Sequence, residues 1–236
     1  MFPTISFLSC AAITLLVFSQ VAPASPVPIC PIPHQKDPQL PTTGKGTQLS
    51  DPSIGLSLKF VTLGRGVQNY TCASATSTPV AVGAIASLFD ITAFAYGGST
   101  SSQFITLPAF AAYLSLARVQ ELLDTCLPRG SKASVIGSHY FDAAGVPIFD
   151  LSIKDSKLTS KKIEAIAAPS IANKGPAGTG AVPWLKLGDL GGSIGLKEVY
   201  RVYTAGGNPY SICSAEEFDA GGIIAVEYSA MYWFYG

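Results

Sequence analysis

From Leu56 onward the chain breaks into short segments that alternate apolar with polar residues, separated by clusters of Gly, Pro, Asn and Ser. In LSLKFVTL, Leu56, Leu58 and Phe60 fall on one side and Ser57 and Lys59 on the other, the period-two pattern of a half-buried strand. Comparable segments are Gln68–Ser74, Val80–Asp90, Val135–Phe141, Pro147–Ile153, Lys162–Ala167, Val182–Leu187, Glu198–Thr204, Ile223–Tyr228 and Met231–Tyr235. The separators AYGGSTSS, NKGPAGTG, GDLGG and AGGNP supply the chain reversals that tight turns need. Strands so spaced predict a mainly β chain, an antiparallel β-sandwich or barrel. One helix is predicted over 107–124, LPAFAAYLSLARVQELLD, which is rich in helix formers and stops before Pro128 and Gly130.

The segment before the first strand divides in two. Residues 1–24 hold an apolar core, Phe7 to Phe18, followed by Ala22-Pro23-Ala24, the pattern of a secretory signal peptide cleaved after Ala24. No basic residue precedes that core, and the first in the chain is Lys36. The core is short for a membrane span of roughly 20 residues. Residues 25–52 are dense in proline and read as an extended N-terminal arm. Residues 53–236 are long enough for a single β-rich domain. The expectation is therefore a secreted, extracellular protein.

With 15 basic and 15 acidic side chains, the chain lacks the electrostatic footprint that a polyphosphate or an anionic bilayer requires. Neither nucleic acid nor membrane is an expected partner. Once the signal is removed, Cys30, Cys72, Cys126 and Cys213 remain, an even number in a chain bound for an oxidising compartment. Two disulfides are predicted, in one of three connectivities. No two of these cysteines form a C-x-x-C knuckle, so zinc is not predicted and no cofactor is implied.

Several motifs invite a chemical reading. Gly64 and Gly66 begin like a dinucleotide fingerprint, but Asn69 stands at the third glycine and the continuation VQNYTCA is strand-like. The glycines are read instead as a turn or bulge ending the first strand. Gly191-Gly192-Ser193-Ile194-Gly195 matches a hydrolase nucleophile elbow, yet no histidine follows it to take the serine proton. In HYFDAAGVPIFDL, His139 with Asp142 and Asp150 suggests a proton shuttle or metal site, against the plainer reading of a hairpin with local hydrogen bonds, which is preferred. Asp189, Glu198 and Glu227 add carboxylates for glycoside hydrolysis, whose mechanism depends on a separation that sequence does not supply. Among the aromatics near the C-terminus, packing under a loop or the helix is preferred, and the alternative is a flat binding surface including Trp184, Tyr203, Trp233 and Tyr235. Asn69-Tyr70-Thr71 is the only N-x-S/T sequon, so Asn69 is the candidate glycosylation site.

Taken in order, GLSLKFVTLGRGVQNYTC, SHYFDAAGVPIFDLS, AVPWLKL, VYRVYTAGGNPYSIC and VEYSAMYWFY resemble a secreted family of fungi and bacteria known as "domain of unknown function 3455". The resemblance runs from about Gly55 to the C-terminus. It implies no established activity and carries over no catalytic residue. Some members bear the label malate dehydrogenase, which predicts a dinucleotide fingerprint and a paired Asp and His that this sequence does not show. The resemblance does imply a bridge between Cys72 and Cys213. That leaves Cys30 for Cys126, fastening the arm beside the helix. The functional expectation is a disulfide-stabilised protein that binds at the cell wall or a host surface, with cell-wall polysaccharide or an extracellular host protein as partner. The alternative is an extracellular polysaccharide hydrolase working through carboxylates such as Asp150 and Glu198.

Overall fold

The computed structural model describes residues 38–43, 46–98, 101–126 and 133–236. The expected signal segment, the arm up to residue 37 and Cys30 lie outside the described residues, and with them the expected Cys30–Cys126 bridge.

Eight strands form the body: β1 (Leu58–Thr71), β2 (Val80–Asp90), β3 (Val135–Phe141), β4 (Pro147–Leu151), β5 (Ser156–Ile166), β6 (Trp184–Asp189), β7 (Glu198–Gly206) and β8 (Ile223–Tyr235). Each pairs antiparallel with the next, and β8 returns to pair with β1, so the sheet closes into a barrel. Closure leaves no edge with unpaired N–H and C=O groups, which decides between the two predicted architectures.

The expected break at Gly64 and Gly66 is absent, and β1 runs unbroken through both. Their role is space. A Cβ on Gly66 would lie 1.8 Å from the Ile85 carbonyl oxygen, and one on Gly64 would lie 2.5 Å from the Tyr232 ring. The two segments expected at Ile223–Tyr228 and Met231–Tyr235 are likewise one strand, with Ala230 opposite Gly64 and Tyr228 opposite Gly66.

Alternation along the strands builds two cores. Leu88, Phe149, Leu158, Val199, Tyr232 and Phe234 point inward and fill the lumen, as expected of an eight-stranded barrel. Val61, Leu63, Phe89, Val202, Met231 and Trp233 point outward, yet they too are buried. Their cover comes from the β2–β3 connection, which holds α1 (Thr92–Gly98), α2 (Ser102–Ala111) and α3 (Leu116–Cys126). Phe104 of α2 meets Trp233 edge to face, with ring centroids 6.4 Å apart. The single helix predicted over 107–124 is thus split: α2 starts earlier, where the Ser101 hydroxyl caps the Phe104 N–H, and the chain restarts at Ser115, whose hydroxyl accepts from the Arg118 N–H. A short helix α4 (Ala215–Asp219), opened by a Ser214–Glu217 capping box, lies between β7 and β8.

The end of the arm also lies against the outer wall. Leu40, Leu49 and Leu56 pack against the outer core. Ser50 donates from its N–H and hydroxyl to Glu164, and Ser53 does the same to Glu198, so β5 and β7 hold the segment in place.

Candidate functional site

Four connections cluster at the barrel end marked by Thr71: residues 72–79, 142–146, 167–183 and 207–222. Three of them are tied together there. Cys72 is bonded to Cys213 in the disulfide that the resemblance implied, across 141 residues of sequence. Backbone bonds flank it, from Cys72 N–H to Gly222 O at 2.7 Å and from Cys213 N–H to Ser77 O at 2.8 Å. The 167–183 loop joins through Val182 N–H to Gly206 O at 3.0 Å and Gly206 N–H to Asn173 O at 2.9 Å. Gly175 and Gly206 touch so closely that a Cβ on Gly175 would lie 2.4 Å from the Gly206 Cα.

On this tied rim lies a cleft of about 480 Å3 lined by Thr78, Pro79, Thr179, Asn208, Pro209, Tyr210 and Ser211. Its lining carries no ionisable group apart from the Tyr210 phenol. Hydroxyls and an amide supply hydrogen-bonding capacity, while Tyr210, exposed on the stapled loop, supplies a ring face. The Asn208 amide nitrogen donates to Ala181 O at 3.0 Å, and the Thr179 hydroxyl donates to Asn208 O, which fixes two walls of the cleft relative to each other. Its volume falls in the range of small-ligand pockets, about 300–1,000 Å3.

The sequence-derived catalytic candidates do not converge there. His139 points into the lumen, 4 % exposed, with Nδ1 donating to Ile148 O at 2.9 Å and its ring stacked on Phe149. Burial pulls its pKa down to about 4, opposed by the Ile148 bond and, to a lesser extent, helped by the Arg201 charge. The imidazole is therefore neutral at pH 7. Asp142 accepts from the Ala144 and Val146 N–H groups, both at 2.9 Å, and so folds its own hairpin turn. Asp150 accepts from the Ser152 N–H and hydroxyl, and the hydroxyl bond holds its carboxyl below the usual range. Ser193 donates to Asp189 at 2.6 Å in the loop before β7, with no imidazole beside it among the described residues.

Glu198 sits on the outer wall, on the far side of the sheet from the lumen. It pairs with Lys186 at 3.5 Å, both side chains being more than nine-tenths buried, and it accepts from Ser53 and from the Tyr200 hydroxyl. Burial, then the Glu198 charge, pushes the Tyr200 phenol well above its ordinary value. Glu227 pairs with Arg65 at 2.9 Å on the outer face. In the lumen, Arg201 donates from Nε and Nη2 to Pro183 O at 3.2 and 2.9 Å, and the hydroxyls of Tyr228 and Tyr232 meet at 2.8 Å.

The aromatic surface set also has a different location. Trp184, Trp233 and Tyr235 are only 2 %, 0 % and 6 % exposed, and of the set only Tyr203 is partly accessible, edge-on to Trp184. They cannot form a flat binding face, because the helices and the arm cover the outer wall where they point. Tyr210, one of the aromatics near the C-terminus, is the exposed one that borders a cleft. Its signal in sequence is the run GGNPYSIC, an aromatic held between turn residues and a bridged cysteine.

A family model described as a protein of unknown function, DUF3455, matches residues 52–236. The chain belongs to that family. Neither a curated protein nor a solved structure shows a significant match to it. The DUF3455 match starts at Pro52, inside the pinned end of the arm, so it takes in the contact between Ser53 and Glu198 as well as the whole barrel and the rim. Among the described residues of this DUF3455 chain, no helix is long and apolar enough to cross a membrane.

Proposed function

We propose that this DUF3455 chain is a secreted binding protein that acts at the cell wall or a host surface, with the rim cleft around Tyr210 as its contact site. The observation that carries the reading is the chemistry of that cleft: an exposed phenol ring beside threonine and serine hydroxyls and an asparagine amide, on loops stapled by Cys72–Cys213. Polysaccharides are recognised by this combination, because a ring stacks on the apolar face of a sugar while neutral donors and acceptors meet its hydroxyls. Rigid loops keep the ordering penalty of binding small. The balanced charge of the chain fits a neutral partner better than a polyanion.

Co-sedimentation of the purified protein with insoluble cell-wall polysaccharides tests the reading. Retention should fall at least about tenfold in Tyr210→Ala, the effect of removing one aromatic anchor. Retention that is unchanged in Tyr210→Ala counts against the cleft. Release of reducing sugar that disappears in folded Glu198→Gln would transfer the protein to the hydrolase reading.

A further inference from the structure

The outer wall is covered unevenly. Along β1, β2 and β8 the helices shield the rows of Leu63, Phe89 and Met231, and they stop at Arg65, whose Nε donates to Leu114 O at 2.9 Å. Above that point three cross-strand rows face outward, the first bordered on one side by Leu114–Leu116 and the other two without cover from the described chain. Val67 lies between Ile85 and Glu227, Asn69 between Gly83 and Ala225, and Thr71 between Val80 and Ile223. Val80, Ile85 and Ile223 are exposed at 61 %, 58 % and 62 %, an unusual concentration for β-branched side chains on one sheet face.

Asn69 stands at the centre of this patch. It projects outward, since Gln68 and Tyr70 on either side point into the barrel and are buried. Its flanking positions hold a glycine and an alanine, so nothing bulky crowds the amide from the neighbouring strands. The amide has no hydrogen-bond partner among the described residues. The hydroxyl of Thr71, two residues on, lies on the same face.

We propose that Asn69 carries an N-linked glycan whose first sugars lie over Val67, Ile85, Val80 and Ile223 and cover this face. The inference rests on the secreted reading above. In the transfer, Asn69 Nδ2 bonds to the anomeric carbon of a lipid-diphosphate-linked oligosaccharide. The bond from that carbon to the diphosphate oxygen breaks, the lipid diphosphate leaves, and one amide proton passes to a base of the transferase. The rows above and below Asn69 are about 7 Å away along the strands, within reach of the first two sugar rings. Their apolar faces meet the valine and isoleucine side chains, while their hydroxyls meet water.

The test uses the full chain made in a eukaryotic secretory host, once with its own leader and once behind a host leader. Peptide mapping should find one glycan at Asn69, lost in Asn69→Gln and Thr71→Ala and retained in Thr71→Ser. Enzymatic removal of the glycan from the folded protein should raise binding of a hydrophobic dye about twofold or more, and Ile85→Thr with Ile223→Thr should abolish the rise. A bare Asn69 in folded protein, from cells that modify a control sequon, overturns the proposal. So does a glycan whose removal leaves dye binding unchanged, or a glycosylated dimer that Ile85→Thr breaks, which would give the face to a second copy. Retention in the cell with its own leader, together with full modification behind the host leader, supports the site and defeats only the secretion reading.

Discussion

The imidazole of His139 lies flat against the ring of Phe149, centroids 4.1 Å apart and planes within 8°, at directly paired positions of β3 and β4. Stacked in the lumen and bonded only through Nδ1 to the Ile148 carbonyl, the ring is placed to stay neutral. Its pKa, pulled to about 4, lies below the unfolded value of about 6.5. Because the folded imidazole is the weaker base, the unfolded chain takes up the proton first as pH falls. Stability is therefore full above pH 6.5 and falls as pH drops towards 4, by about 3 kcal/mol in all. Denaturant titrations at several pH values should show this slope in the wild type and lose it in His139→Gln. An identical slope in both proteins would place the acid sensitivity elsewhere.

Gly66 and Gly64 offer a steric prediction. Because the missing Cβ of Gly66 would meet backbone, which cannot rotate away, Gly66→Ala should destabilise by more than about 3 kcal/mol or prevent folding. Gly64→Ala meets side chains alone, the Tyr232 ring and more loosely Leu88, and should cost less. Gly145, at φ +75° with nothing nearby, should lose only about 1 kcal/mol through the strained backbone of alanine there. Thermal unfolding of the three variants gives the order. If Gly66→Ala proved as stable as Gly145→Ala, strands β1 and β2 would have to lie farther apart than described.

These glycines also show where sequence reading stops. The strand-like segments and the turn clusters are visible in the one-dimensional pattern, because local alternation and turn chemistry act over a few residues, whereas the Cys72–Cys213 bridge, 141 residues apart, is implied by the family resemblance alone. Whether Gly64 and Gly66 break a strand or let two strands close together depends on Ile85 and Tyr232, residues far away in the chain. MYWFY has the same ambiguity. Alternation puts Tyr232 and Phe234 on one face and Trp233 and Tyr235 on the other, but only the position of α2 and the arm reveals that both faces are core. His139 and Asp150 are close in sequence and lie in adjacent rows of the β3–β4 hairpin, Asp150 opposite Ser138, yet the pleat sends the imidazole into the lumen while Asp150 folds onto Ser152. The cleft was hidden for a related reason: its walls come from the 72–79, 167–183 and 207–222 loops, which meet only after closure.

Lys186 and Glu198 form a buried pair whose single and double variants should differ sharply in cost. Lys186→Met leaves a carboxylate more than nine-tenths buried with only Ser53 and Tyr200 as donors, and should lose about 3–5 kcal/mol. The double variant Lys186→Met/Glu198→Leu removes both charges and should recover most of that loss. A double-mutant cycle by urea unfolding measures the coupling. Strict additivity of the two single effects would show that the pair does not act as a unit.

The last prediction links stability to the rim. Joining Cys72 to Cys213 constrains a loop of 141 residues in the unfolded chain, for which the chain-entropy model gives up to about 5 kcal/mol. Cys72→Ser, Cys213→Ser and the double variant should therefore show the same lowered Tm, since each breaks one and the same bond. The β1–β8 ladder is untouched, and the Tyr70 hydroxyl still donates to Gly207 O at 2.7 Å at the root of the loop, so the barrel below the rim keeps its own ties. What loosens is the 207–222 loop that carries Tyr210. Below the new Tm, the variants should remain folded by far-ultraviolet circular dichroism, yet their retention on polysaccharide should fall towards that of Tyr210→Ala. If the variants fold and bind as the wild type does, the staple acts on stability alone, and the ordering of Tyr210 must come from Asn208 and Thr179 across the cleft.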